Sequence, residues 1–238
     1  MRLERTKKLA IIAMLIALSY VIMVVGRIPV LTVPPFLKYD PKDVIITIGG
    51  FLFGPLSAFA ISFIVSFLEM ITVSDTGIVG ALMNIVSTCA FACFAALIYK
   101  RIHSLKGAVI GLAVGWVAMT GVMILWNYII TPIYLASLSL GFSDLGALSE
   151  AARGMRPMVA GMLIPVFLPF NLLKGGMNAA LSMLVYKPIR MGLDKSRLLP
   201  MPTDKARKKT QLNIGALLVS AFVLITGVLI ILVYQGII

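Results

Sequence analysis

Lys174 is the residue of this chain best placed to do chemistry. It lies in VFLPFNLLKGGMNAALSML, with apolar residues on both sides. A charge inside a bilayer costs about 2.5–3.5 kcal/mol on insertion scales, so such a side chain reads as functional by default. Asn171 stands three residues before it and Asn178 four after it. Residues at that spacing share a helix face, so the three make a polar stripe on an apolar helix. Two readings follow for Lys174. Its ammonium can snorkel to the interface from near a helix end. Alternatively, Lys174 and Asn171 donate hydrogen bonds to the carbonyls of a ligand in a dry pocket, where an unused donor is expensive.

Asn127, in a WNY triplet on an earlier segment, offers the same choice between an interhelical hydrogen bond and a ligand. Trp126 and Tyr128 beside it suit either an interfacial belt or packing on a flat ring. Glu69 and Asn84 either pair with a neighbouring helix or join the site. Lys38, Asp40, Lys42 and Asp43 fall in a proline-rich stretch and are expected to be wetted, except that Asp43 can cap the helix that follows.

Catalytic sets are missing. The single histidine, His103, leaves no Ser-His-Asp arrangement and no multi-His metal site. The sequence contains neither GxxxxGK[ST] nor HExxH, so it does not bind ATP through a P-loop. An intramembrane aspartyl enzyme needs two acids within spans, and Glu69 is the sole candidate. Cys89 and Cys93, four apart, read as small apolar residues packed between helices. The expectation is a protein that is not an enzyme and holds no metal or cofactor. If it imports its ligand actively, another subunit supplies the energy.

The elements that must position these residues are membrane helices. The 238 residues are 60% hydrophobic and 13% charged, with mean hydropathy +1.04. Soluble domains are about 45–50% apolar and about 25% charged. The net charge of +12 is concentrated in short loops between apolar runs, which marks cytoplasmic loops rather than a nucleic-acid surface. A first helix is expected from Leu9 to Ile28, retained rather than cleaved, with its basic start in the cytoplasm. Within it, Ala13 and Ala17 are small residues four apart, which allow close helix approach in lipid. The prolines at 29, 34, 35 and 41 then impose an outer loop folded over the bundle. A short helix follows over Asp43–Phe53, too short to cross unless it enters the interior. Further spans are expected over Pro55–Thr72, Gly77–Tyr99 and Ala108–Ile130, then an outer loop from Leu135 to Arg156. A sixth span, Pro157–Tyr186, is interrupted by Pro165 and Pro169 and regular only from about Pro169. This gives an all-α integral membrane protein: a bundle over 1–190, a basic cytoplasmic linker over 191–211, and a further apolar run over 212–238 able to cross once more.

Four stretches, in order, resemble the riboflavin-specific substrate-binding (S) components of energy-coupling-factor (ECF) vitamin transporters: FLKYDPKDVIITIGGFLFGPLSAF, the Gly77–Asn84 segment, WNYIITPIY and LPFNLLKGGMNAAL. The similarity runs from about Lys7 to Arg190. It implies a six-helix S-component bundle with riboflavin bound near the outer side of a prokaryotic cell membrane. It also implies that Asn127, Asn171 and Lys174 hydrogen-bond the flavin, and that Asn84, Tyr128 and Gly77 belong to the site. Leu37 and Tyr39, in the loop after the first helix, would help close it. Ala13 and Ala17 would contact the transmembrane coupling subunit, and two cytoplasmic ATPases would drive the cycle. The chain departs from the family in two places. Relatives commonly carry a proline shortly after the second Asp of the loop motif, where this chain reads DVIIT, and the run over 212–238 exceeds the usual six helices. Alternatives left open are an S component for another vitamin or flavin analogue, and a membrane assembly protein with no transport role.

Overall fold

The computed structural model describes residues 2–30, 37–141, 144–195 and 214–237. Among them the chain is helical apart from one small hairpin and short turns. Helix α1 covers Arg2–Gly26. Strands β1 (Ile28–Pro29) and β2 (Lys38–Tyr39) pair antiparallel, Ile28 opposite Tyr39 and Pro29 opposite Lys38. Then follow α2 (Lys42–Phe53) and α3 (Pro55–Thr72). Next, α4 (Gly77–Thr88), a π-helical turn (Cys89–Cys93) and α5 (Phe94–Arg101) run as one rod. The long α6 covers Leu105–Ile129. The remainder is α7 (Thr131–Leu140), α8 (Leu145–Met162), α9 (Leu168–Lys195) and α10 (Ile214–Tyr234).

Among the described residues, five stretches are long and apolar enough to cross a membrane: Arg5–Gly26, Pro55–Thr72, Gly77–Arg101, Leu105–Ile129 and Leu145–Tyr186. Helix α2 is the sixth member of the bundle, and its shortness has a structural reason. It is buried from Lys42 to Phe51, so it starts inside the bundle instead of crossing. Gly50 lets it sit there, because a Cβ at that position would lie 2.9 Å from Ala96 Cβ and 3.0 Å from Ala58 Cβ. A side chain there would push α2 away from α3 and α5, with loss of the dispersion contacts of the core. Helix α2 begins at Pro41, whose carbonyl accepts from Val44 N–H at 3.1 Å, so DVIIT starts a helix without the relatives' proline.

Two expectations about connections need correction. The stretch from Leu135 to Arg156 is helical up to Leu140 and again from Leu145, not a loop. Pro132 sits in the first turn of α7, where its missing N–H is harmless. The Asp144 carboxylate caps α8 by accepting from the N–H groups of Gly146 and Ala147 at 2.8 and 3.0 Å. The polar residues that suggest a loop lie on the outward face of an amphipathic helix, whose Leu148 and Ala152 pack on Ala136 of α7. The second correction concerns Pro165 and Pro169. They do not break the helix, because Leu163–Phe167 widens into a π-turn in which Leu168 N–H bonds Leu163 O. A π-turn of this kind absorbs a proline's lost hydrogen bond and steric demand. Helix α9 also continues past residue 190 to Lys195; the rest of the expected linker, 196–211, lies outside the described residues.

Candidate functional site

One end of the bundle gathers the ends of α1, α3 and α6, the starts of α2, α4 and α9, and the hairpin. Among the described residues this is where the buried charges collect. Lys42 Nζ donates to Glu69 Oε2 at 2.6 Å and faces Asp40 Oδ2 at 3.5 Å. Glu69 also accepts from the Arg27 guanidinium, and from Asn84 Nδ2 at 2.9 Å. Asp43 Oδ1 accepts from Thr88 at 2.6 Å, and its Oδ2 accepts from Asn178 Nδ2 at 3.0 Å. Lys174 Nζ lies 3.8 Å from the same Asp43 oxygen. Arg27, Lys42 and Lys174 thus stand against Asp40, Asp43 and Glu69. An unpaired charge in such surroundings would be very costly. The matching of cations to carboxylates is what makes this burial tolerable.

Beside the network opens a pocket enclosing about 640 Å³, its mouth included. Asn127, Asn171 and Lys174 form one wall and Asn84 and Glu69 another, with Leu37 and Lys38 reaching in from the hairpin. Asn127 and Asn171 each donate one amide N–H to the carbonyl four residues back, Met123 O and Phe167 O, both at 2.7 Å. A carboxamide has two N–H groups, so the helix bond fixes the side chain and leaves a second donor to present. At the mouth Lys38 bonds Asp75 across from the hairpin to the α3–α4 turn. That hydrogen bond, with the charge behind it, holds the Asp75 carboxyl below the usual carboxylate range. The wall offers directed donors and a cation beside apolar Met83, Met123 and Phe170. That combination suits a flat, mostly apolar ligand with carbonyl acceptors.

Of the residues singled out in the sequence, Asn84, Asn127, Asn171, Lys174 and Leu37 line this pocket. Tyr39 stands behind it, buried, with its hydroxyl donating to Asn178 Oδ1 at 3.1 Å. The structure does not bring Tyr128 or Gly77 into the lining. Tyr128 is exposed, because consecutive helical residues point about 100° apart and Asn127 takes the inward direction. Gly77 opens α4 with φ +55° and is exposed, while its neighbours Ser74, Asp75 and Thr76 line the pocket. Ala13 and Ala17 are exposed on α1. Lys174 does not snorkel; it is buried against Asp43.

The expectation of wetted charges fails for Asp40, Lys42 and Asp43, all of which are buried. Asp43 makes no cap hydrogen bond; its oxygens are taken by Thr88 and Asn178 instead. A signal was available in the sequence. A helix too short to cross must start inside the protein, so charges in its first turn start inside too. Arg27, where the first apolar run meets the proline-rich stretch, joins the network through Glu69, and no motif marks it for that role.

A family model described as "ECF transporter, substrate-specific component" matches residues 7–186. The chain is 31% identical over 196 residues to the riboflavin transporter FmnP of Bacillus subtilis, covering 81% of this chain and 97% of that protein. It is 26% identical over 189 residues to the riboflavin transporter RibU of Staphylococcus aureus, covering 79% and 92%. A solved structure of the S component of a bacterial ECF transporter superposes with TM-score 0.61 at 27% identity, covering 79% of this chain and 98% of that one.

Proposed function

This chain belongs to the substrate-specific components of ECF transporters, multi-pass membrane proteins, and from that premise we propose that it binds riboflavin in the pocket between α6 and α9. The observation that carries the reading is the convergence of Asn127, Asn171 and Lys174 on one wall. The isoalloxazine of riboflavin is flat, apolar on its faces and edged with two carbonyls and an imide. Amide and ammonium donors along one wall, with Met and Phe beside them, are complementary to that outline. Relatives named as riboflavin transporters support the choice of vitamin.

In this reading residues 1–190 are the substrate-binding unit and 212–238 an additional transmembrane helix. The N-terminus is cytoplasmic, because Lys7, Lys8, Lys100 and Arg101 would then share the inner side and the pocket would face out. A transmembrane coupling subunit docks on α1 at Ala13 and Ala17, and two cytoplasmic ATPases drive uptake.

Protein purified in detergent from cells supplied with riboflavin should be yellow, with flavin absorption bands at about one flavin per chain. A colourless protein that also leaves added riboflavin fluorescence unquenched would overturn the assignment and leave an S component of another substrate. Within the site, Lys174→Met should raise the riboflavin Kd at least about tenfold, about 1.4 kcal/mol. The change removes a donor and leaves Asp43 without its nearby cation. Fluorescence titration reads this directly, and an unchanged Kd removes Lys174 from the site.

A further inference from the structure

Helix α10 lies beyond the 7–186 stretch that defines the family, yet the structure ties it to the pocket. Ser220, Leu224, Gly227, Ile231 and Gln235 fall at spacings of three and four, so they share one helix face. Ser220, Gly227 and Ile231 are buried. The residues around them, such as Phe222, Ile225, Leu229 and Val233, are exposed and apolar, as a lipid-facing surface requires. Gly227 sets the contact with α9, because a Cβ there would come within 2.8 Å of Met177 Cγ and 2.9 Å of its Sδ.

The outer end of this face meets the hairpin. Gln235 Nε2 donates to Pro29 O at 2.6 Å. Ile231 belongs to the same buried cluster as Val30, Leu37, Tyr39 and Phe170. Pro29 pairs with Lys38 across the hairpin, and Val30 N–H reaches Leu37 O at 3.4 Å. Leu37, Lys38 and Phe170 line the pocket. An unbroken line of contacts therefore runs from α10 through β1 to β2 and the pocket wall.

We propose that α10 holds the β1–β2 hairpin against the pocket, with Gln235 and Ile231 as positioning residues that slow release of the ligand. The proposal rests on the riboflavin reading for the identity of what is released, though not for the tether itself. A bond from a helix packed on α9 restrains the hairpin without touching the ligand, and restraint of a covering segment acts chiefly on the dissociation rate.

The test uses the full-length protein and three variants. Gln235→Glu keeps the shape and loses the N–H donor. Gln235→Lys keeps a donor. Gly227→Leu forces α10 off α9. Two readouts are taken: hydrogen exchange of the hairpin amides at Ile28, Val30, Lys38 and Tyr39 without ligand, and the riboflavin dissociation rate by stopped-flow fluorescence. Gln235→Glu and Gly227→Leu should speed hairpin exchange and raise the dissociation rate about three- to tenfold, the span a single net hydrogen bond supplies. Gln235→Lys should recover most of both, and the exchange of α6 should not change in any variant. Unchanged hairpin exchange in both damaging variants overturns the tether. Faster exchange with an unchanged dissociation rate overturns its role in release. If the unaltered protein binds no riboflavin, the exchange result still decides the tether, and the failure falls on the ligand assignment.

Discussion

Replacing Lys42 with methionine should destabilise the protein by about 3–5 kcal/mol, the usual cost of removing one partner from a buried charge network. The two carboxylates at Lys42 are not equally exposed to the loss. Glu69 would keep Arg27 and Asn84 as donors. Asp40 would keep no hydrogen bond: its Oδ2 faces Lys42, and its Oδ1 is buried without a partner. The cost therefore arises at Asp40, which predicts a rescue. Lys42→Met combined with Asp40→Asn removes the stranded charge and should recover at least half of the loss, since deleting both members of a buried pair costs far less than deleting one. In detergent the single variant should lower the unfolding midpoint by roughly 10 °C, at about 2–4 °C per kcal/mol for a chain of this size. A midpoint within about 2 °C of the parent would mean that water reaches the site and that the network is not buried in solution. Failure of the double variant to recover would move the strain from Asp40 to Glu69.

Lys42 also marks where the sequence is legible and where it stops being so. The spans are readable because apolar length is an intrinsic requirement of a bilayer, and the start of Pro55–Thr72 is marked by the Gly54-Pro55 pair. Asn127, Asn171 and Lys174 are readable for the same reason, since a polar side chain in an apolar run needs a purpose. Asp40, Lys42 and Asp43 are not, because proline-rich, charged sequence is what a solvated loop looks like. What buries them is the tertiary position of α2, fixed by Gly50 and by partners as remote as Glu69 and Asn178. The α7–α8 region failed for a related reason. The amphipathic pattern of α8 reads as polar until Ala136 supplies a surface for its apolar stripe. Tyr128 shows the limit of a motif: WNY names three neighbours, and helical geometry sends only one of the last two into the pocket.

The charge network explains why the pocket can be both polar and stable. The polar side chains that line it are anchored from behind: Asn171 and Asn127 by their own helices, Lys174 by Asp43, and Asn84 by Glu69. Asp43 is the hub, joining α2 to α4 through Thr88 and to α9 through Asn178. Asn178 in turn holds Tyr39 of the hairpin. Pre-set donors lose little freedom when a ligand arrives, which is the physical basis of tight binding by a preorganised site.

Transport should respond to the exposed stripe of α1. Ala13→Leu together with Ala17→Leu should abolish riboflavin uptake while leaving the Kd within about threefold of the parent. Both alanines are exposed on α1, on a face turned away from Ile11 and Leu15, which enter the core. Both positions are exposed among the described residues, so the added methyl groups should leave the fold and the pocket unaffected. Between helices in lipid the driving force is close packing, which small residues at four-residue spacing permit and leucine blocks. If a partner subunit docks on this stripe as proposed, the leucines would hold it off, and uptake would stop while binding continued. The measurements are uptake of labelled riboflavin by cells and fluorescence titration of the purified variant. Uptake at the parent level would remove the stripe from the docking surface. Lost binding would show that the alanines serve the fold instead. Uptake lost with binding kept separates the two tasks of the chain, capture at the α6–α9 pocket and coupling through α1.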